Sequence, residues 1–88
     1  MATVHVTIPS PLQSYTGRRD VDAEGSTVDE VLRHLDCRHP GLRFRMVDEA
    51  DQLRPHMRLF IGQQELHDLD TPLAPGATLH IIQALSGG

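Results

Sequence analysis

Only one stretch of this chain has the period of a long helix, and that limits what the rest can be. In "STVDEVLRHLD", Val28, Val31, Leu32 and Leu35 recur at i, i+3, i+4 and i+7. That spacing gives an amphipathic helix with one apolar stripe. Thr27 and Glu30 have the spacing of a capping box at its start, and Pro40 and Gly41 mark its end. A lone helix cannot bury its own stripe. It needs a sheet, and the remaining regular stretches supply strands.

The opening "TVHVTIP" alternates, with Val4, Val6 and Ile8 on one face and Thr3, His5 and Thr7 on the other, before Pro9 and Pro11 stop it. A turn at Gly17 leads into a short returning strand with Val21 and Ala23 on one face. Further on, "MRLFI" sets Met57, Leu59 and Ile61 on one side and Arg58 and Phe60 on the other. Gly62 stands where a tight hairpin needs positive φ. Leu66, Leu69 and Leu73 read as core plugs along a connecting loop. Pro75 and Gly76 fit the centre of a type II turn. The last strand, "TLHIIQAL", points Leu79 and Ile81 inward and Ile82 outward.

Two N-terminal strands joined by a tight turn pair antiparallel, and a helix crossing to a parallel neighbour covers one sheet face. The expected fold is a single α+β domain, a mixed sheet with one main helix packed across it. Its strand order does not follow from pattern alone. With 88 residues the chain is near the size at which one core suffices.

Composition excludes several functions. A net charge of −4, with only 2 Phe and 1 Tyr, argues against nucleic acid as a partner. No apolar run approaches the ~18 residues of a membrane span, so no membrane partner is expected. "MATVHVTIPS" lacks the regions of a signal peptide, and a cytoplasmic address is expected. A single cysteine excludes an internal disulfide. His34, Cys37 and His39 lie close together in "HLDCRH", with Asp36 between them. A closed zinc site takes four ligands, so these residues read as a helix-end surface cluster and no metal is expected. "VDEADQ" reads as a solvated turn.

All 8 basic residues are arginine. A compositional bias accounts for this. So does the advantage of having no side-chain amine beside an activated C-terminus. Both readings stand at this point. The sequence closes on Gly87 and Gly88, a poor choice for stability and a good one for threading.

Taken together, "VTIPSPLQSYTG", "HPGLRFRMVDEADQLRPHMRLFIGQQEL" and "LDTPLAPGATLHIIQALSGG" resemble the ubiquitin-like sulfur carrier proteins of the ThiS/MoaD superfamily. The nearest branch is the one serving a cysteine synthase. Gly62–Gln63 stands where relatives usually carry an Asn–Gly-like turn, and Gln83 where many have proline. The resemblance implies a ubiquitin-like β-grasp domain over 1–85 and a flexible C-terminal Gly-Gly tail over 86–88.

It further implies a carrier rather than an enzyme, monomeric when free, with no bound cofactor. An E1-like adenylating enzyme would use ATP with Mg to activate Gly88. A thiocarboxylate formed there would pass to a sulfur-acceptor enzyme such as a PLP-dependent cysteine synthase. Gly87 would thread the tail, because a Cβ collides with the walls of a narrow channel. Extended, residues 83–88 reach about 20 Å at ~3.3 Å per residue. Phe60, Ile82 and Arg58 form the expected docking patch. The alternatives are the small subunit of a molybdopterin synthase and a protein modifier forming isopeptide bonds.

Overall fold

The computed structural model describes residues 3–84. A five-stranded mixed sheet carries the domain, in the order β2-β1-β5-β3-β4. The strands are β1 (Thr3–Thr7), β2 (Asp20–Glu24), β3 (Met57–Ile61), β4 (Gln64–Leu66) and β5 (Thr78–Gln83). The helices are α1 (Gln13–Thr16), α2 (Val28–Arg38) and α3 (Leu42–Met46). β1 pairs antiparallel with β2 and parallel with β5, while β3 pairs antiparallel with both β4 and β5. With α2 packed across one face, this is the β-grasp arrangement. The boundary at residue 85 and the Gly-Gly tail lie outside the described residues.

Alternation in the strands decides which face is covered. Val4 and Val6 of β1, Leu79 and Ile81 of β5, and Met57 and Leu59 of β3 are buried, and they meet Val28, Val31, Leu32 and Leu35 of α2 in one apolar cluster. Ile61 is only partly buried at its margin. Among the described residues no buried residue is polar or charged.

The start of α2 is stitched to the loop before β5. Val28 N–H donates to the Thr71 carbonyl at 3.0 Å, and Asp29 N–H to that of Leu69 at 2.8 Å. Glu30 N–H donates to Thr27 Oγ1 at 3.2 Å. The first-turn amides that a helix leaves without internal partners are thus satisfied. The capping box is displaced by one residue, because Glu30 Oε1 accepts from the Ser26 N–H and hydroxyl, each at 2.9 Å, rather than from Thr27. Leu66 and Leu73 are buried and Leu69 packs against the core, as expected, although Leu66 closes β4 rather than standing in a loop.

The structure corrects two expectations. β1 and β2 are not joined by a tight turn: a 3₁₀ turn at Ser10–Leu12 and α1 intervene, and Gly17 closes that helical turn with φ 74°. Leu12, buried to 2% exposure, needs this longer path to reach the core. As expected, α2 stops ahead of Pro40 and Gly41, at Arg38 with His39 as its C-cap. The irregular stretch after it contains α3, whose Leu42 and Met46 are fully buried.

Positive φ at the β3–β4 hairpin is confined to Gly62, at 59°, while Gln63 does not share it. A two-residue loop with glycine in the first central place is the type II′ pattern, whose twist matches the flanking strands.

Candidate functional site

Strand pairing assembles the outer face of the sheet, opposite α2. Arg58 stands opposite Ile82, and Phe60 is flanked by His80 on β5 and Glu65 on β4. The three expected docking residues are therefore neighbours on one face. Ile82 is 46% exposed, and Phe60 is half-buried outside the core cluster. Arg58 Nη1 donates to Glu65 Oε2 at 3.0 Å, which sets a neutralised pair at the margin of the Phe60 and Ile82 side chains.

Beside this patch a groove of about 670 Å³ runs between the Ile8–Pro11 segment and the end of β5, with His80 and Ile82 in its wall. Thr7 Oγ1 and His80 Nδ1, on the paired strands β1 and β5, lie 3.1 Å apart in its lining, in a part-buried contact. The face is thus apolar where β5 runs toward the C-terminus.

Its far side is acidic. His5 on β1 sits between two carboxylates of β2, with Nδ1 3.1 Å from Asp22 and Nε2 3.2 Å from Asp20. Hydrogen bonds to Asp22 and then to Asp20 favour the protonated ring and raise its pKa above the ordinary histidine value.

The "HLDCRH" residues are engaged elsewhere. His34 Nδ1 accepts from the Glu24 N–H at 3.0 Å, and Asp36 Oδ1 accepts from the amides of Gly41 and Arg43, both at 3.1 Å. Cys37 is exposed. Among the described residues no three His, Cys, Asp or Glu side chains converge as a metal site. Nor is any helix there long and apolar enough to cross a membrane.

One surface was missed in the sequence. Phe44 on α3 is 56% exposed, and the Arg54 guanidinium lies over its ring at 4.6 Å from the centroid. The signal was present: once Leu42 and Met46 are taken as an i, i+4 buried pair, Phe44 must point away from the core. "VDEADQ" was misread in part as well, since its Val47 is fully buried. Asp48 Oδ1 folds the remainder into a turn by accepting from the Ala50 and Gln52 amides at 2.9 and 3.0 Å.

Gly87 and Gly88 lie outside the described residues, so the site the sequence marks is approached only from its base. β5 ends at Gln83, and Ala84 N–H donates to the His56 carbonyl at 2.7 Å. That bond fixes where the described chain leaves the sheet.

Comparison with known proteins agrees with this fold. The sulfur carrier protein CysO of Mycobacterium tuberculosis is 28% identical over 91 residues, spanning 97% of this chain and 98% of the relative. A chain in the crystal structure of the Amycolatopsis orientalis BexX/CysO complex superposes with a TM-score of 0.88 at 31% identity, covering 97% of this chain and 99% of that one. The small archaeal modifier protein 1 of Methanosarcina acetivorans gives a TM-score of 0.83 at 25% identity, over 100% and 98% of the two chains. The ThiS family matches residues 6–88, terminal diglycine included. The chain belongs to the ThiS family.

Proposed function

We propose that this protein is a sulfur carrier acting through the carboxylate of Gly88. The observation that carries the reading is the match to the ThiS family running through residue 88, together with relatives named as sulfur carriers over nearly the whole chain. A carboxylate is a poor electrophile, because its charge and resonance resist attack. An E1-like enzyme, using ATP with Mg, joins the Gly88 carboxylate to the α-phosphorus and releases pyrophosphate. A sulfur nucleophile then displaces AMP and leaves a thiocarboxylate. That group passes its sulfur to an acceptor enzyme, such as a PLP-dependent cysteine synthase. Covalent carriage splits a difficult delivery into two easier transfers.

In this reading the chain is the substrate of its partners and catalyses nothing itself. Phe60, Ile82 and Arg58 dock the activating enzyme, and Gly87 admits the tail to its channel. Acceptors in other pathways, the molybdopterin synthase role included, use the same chemistry at the same atom.

A second reading is a protein modifier, in which activated Gly88 forms an isopeptide with a target lysine. The likeness to an archaeal modifier protein favours it. ATP–pyrophosphate exchange by the purified activating enzyme tests the activation step that both share. Wild-type protein should support exchange, and a variant lacking Gly87 and Gly88 should not. Exchange undiminished by the deletion contradicts both readings. Lysine-linked ladders in extracts, without a thiocarboxylate, favour the modifier.

A further inference from the structure

A second surface stands where the described chain leaves the sheet, on the opposite side from Ile82. A depression of about 320 Å³ is lined by Leu12, Phe44, Arg45, Arg54, His56 and Gln83. None of these is an acid, although the chain as a whole carries a net charge of −4. Among the described residues Arg45 and Arg54, like Arg18, Arg19 and Arg38, have no carboxylate within ion-pairing distance, whereas Arg33 and Arg58 each pair with one and Arg43 with two. Two arginines therefore stand uncompensated around an exposed aromatic ring.

The arrangement is held in place before any partner arrives. Arg54 Nε donates to the Phe44 carbonyl at 2.8 Å, while its guanidinium stacks over the Phe44 ring. A side chain fixed in this way loses little further freedom on binding. Arginine and aromatic residues are also the side chains on which interface energy concentrates. Phe44, 56% exposed, still leaves apolar surface in water in the free protein.

We propose that the Phe44–Arg45–Arg54–His56 surface docks a carboxylate-bearing segment of the enzyme that activates the C-terminus, the partner common to the carrier and modifier readings, with Phe44 seated in an apolar pocket of that partner. Charge complementarity fixes the chemistry of the occupant: a basic or neutral segment leaves both guanidinium groups unpaired at the contact. Position fixes the occasion. Gln83 lines the depression, and Ala84 is bonded to the His56 carbonyl, so this surface adjoins the point where the described chain leaves the sheet. Ile82 faces the other side of the sheet. The two surfaces thus flank the departing chain.

This inference rests on the carrier reading, and the test separates the two. The purified activating and acceptor enzymes are titrated with wild type, Phe44→Ala, Arg45→Glu and Arg45→Glu/Arg54→Glu, with Kd measured at low and at physiological salt. Arg45→Glu leaves the Arg54–Phe44 contact intact and guards against misfolding, which circular dichroism checks for every variant. The proposal expects the activating enzyme to lose affinity by about tenfold or more with the double charge reversal, and by less with each single change. It also expects the wild-type affinity to fall with salt for that enzyme. Unchanged affinity of the activating enzyme for the folded variants, whether or not the acceptor enzyme loses affinity, overturns the proposal and leaves the carrier reading standing. If wild type binds neither enzyme, both fall together.

Discussion

Arg43 on α3 reaches Asp29 in the first turn of α2, with Nη2 2.8 Å from Oδ1, and touches Asp51 from the same atom at 3.3 Å. One guanidinium, 15% exposed, thereby ties two helices to the turn that follows them. Arg33 completes the set, its Nε 2.7 Å from the other Asp29 oxygen. Burial by itself pushes the Asp29 carboxyl up, but hydrogen bonds from Arg33 and Arg43 outweigh it and hold the group below the usual carboxylate range.

Asp29→Ala should therefore destabilise the domain by about 1–3 kcal/mol, since Arg43 is left largely buried with only the exposed Asp51 as partner. Because the folded pKa is depressed, the contribution is present above the ordinary carboxylate pKa and is lost as pH falls through the depressed value. Denaturant midpoints of variant and wild type should differ at pH 7 and converge in acid.

Gly25 is required by close approach rather than by a turn. A Cβ there would lie 2.8 Å from the Val31 nitrogen and 2.9 Å from Glu30 Cβ, inside the first turns of α2. Backbone cannot swing aside as a side chain does. Gly25→Ala should cost about 1–3 kcal/mol by forcing β2 and α2 apart. Thermal unfolding measures this, and a neutral result would mean that the β2–α2 connection yields easily.

His5 gives a pH dependence of the opposite sign. Its folded pKa is raised, so its contribution is complete below the ordinary histidine pKa and fades as pH rises through the folded value. The group is 41% exposed and solvent screens it, so the effect should stay under about 1 kcal/mol. Proton NMR should find the His5 pKa elevated in wild type and lowered in Asp20→Asn/Asp22→Asn.

Phe60 separates docking from folding. Phe60→Asp places a carboxylate directly opposite Glu65, a like-charge pair worth roughly 0.2–1 kcal/mol against the fold. Phe60→Ser avoids that pair. Both should remain folded and weaken the activating enzyme, the aspartate more strongly because its charge must be desolvated at the interface. Loss of the native fold in Phe60→Ser would place the ring in the core and remove it from the docking patch.

How much of this was legible depended on whether the signal was periodic. The α2 stripe, the alternation of β1, β3 and β5, and the inward Leu66 and Leu73 are repeated choices of residue type, and repetition survives local exceptions. α3 has only five residues, Leu42–Met46, too few for a helical period to stand out between Pro40–Gly41 and the acidic turn. The detour before β2 was missed because Pro9 and Pro11 read as a stop, whereas here they open a 3₁₀ turn. The Phe60–Ile82–Arg58 grouping followed from strand phase, while the Arg54–Phe44 contact spans an irregular segment that no period describes.

The central claim concerns one oxygen atom of Gly88. Intact mass after incubation with the activating enzyme, ATP, Mg and a sulfur source reads it directly. Wild type should gain the difference of a single oxygen-for-sulfur exchange. A variant lacking Gly87 and Gly88 should not, nor should one extended by a residue, because its old carboxylate has become an inert amide. Gly87→Val should fail as well, since a β-branched side chain is stiff and bulky where the channel is narrow. Acquisition of sulfur by the deleted form would mean that it goes to Cys37 or elsewhere, and the carrier account would be wrong.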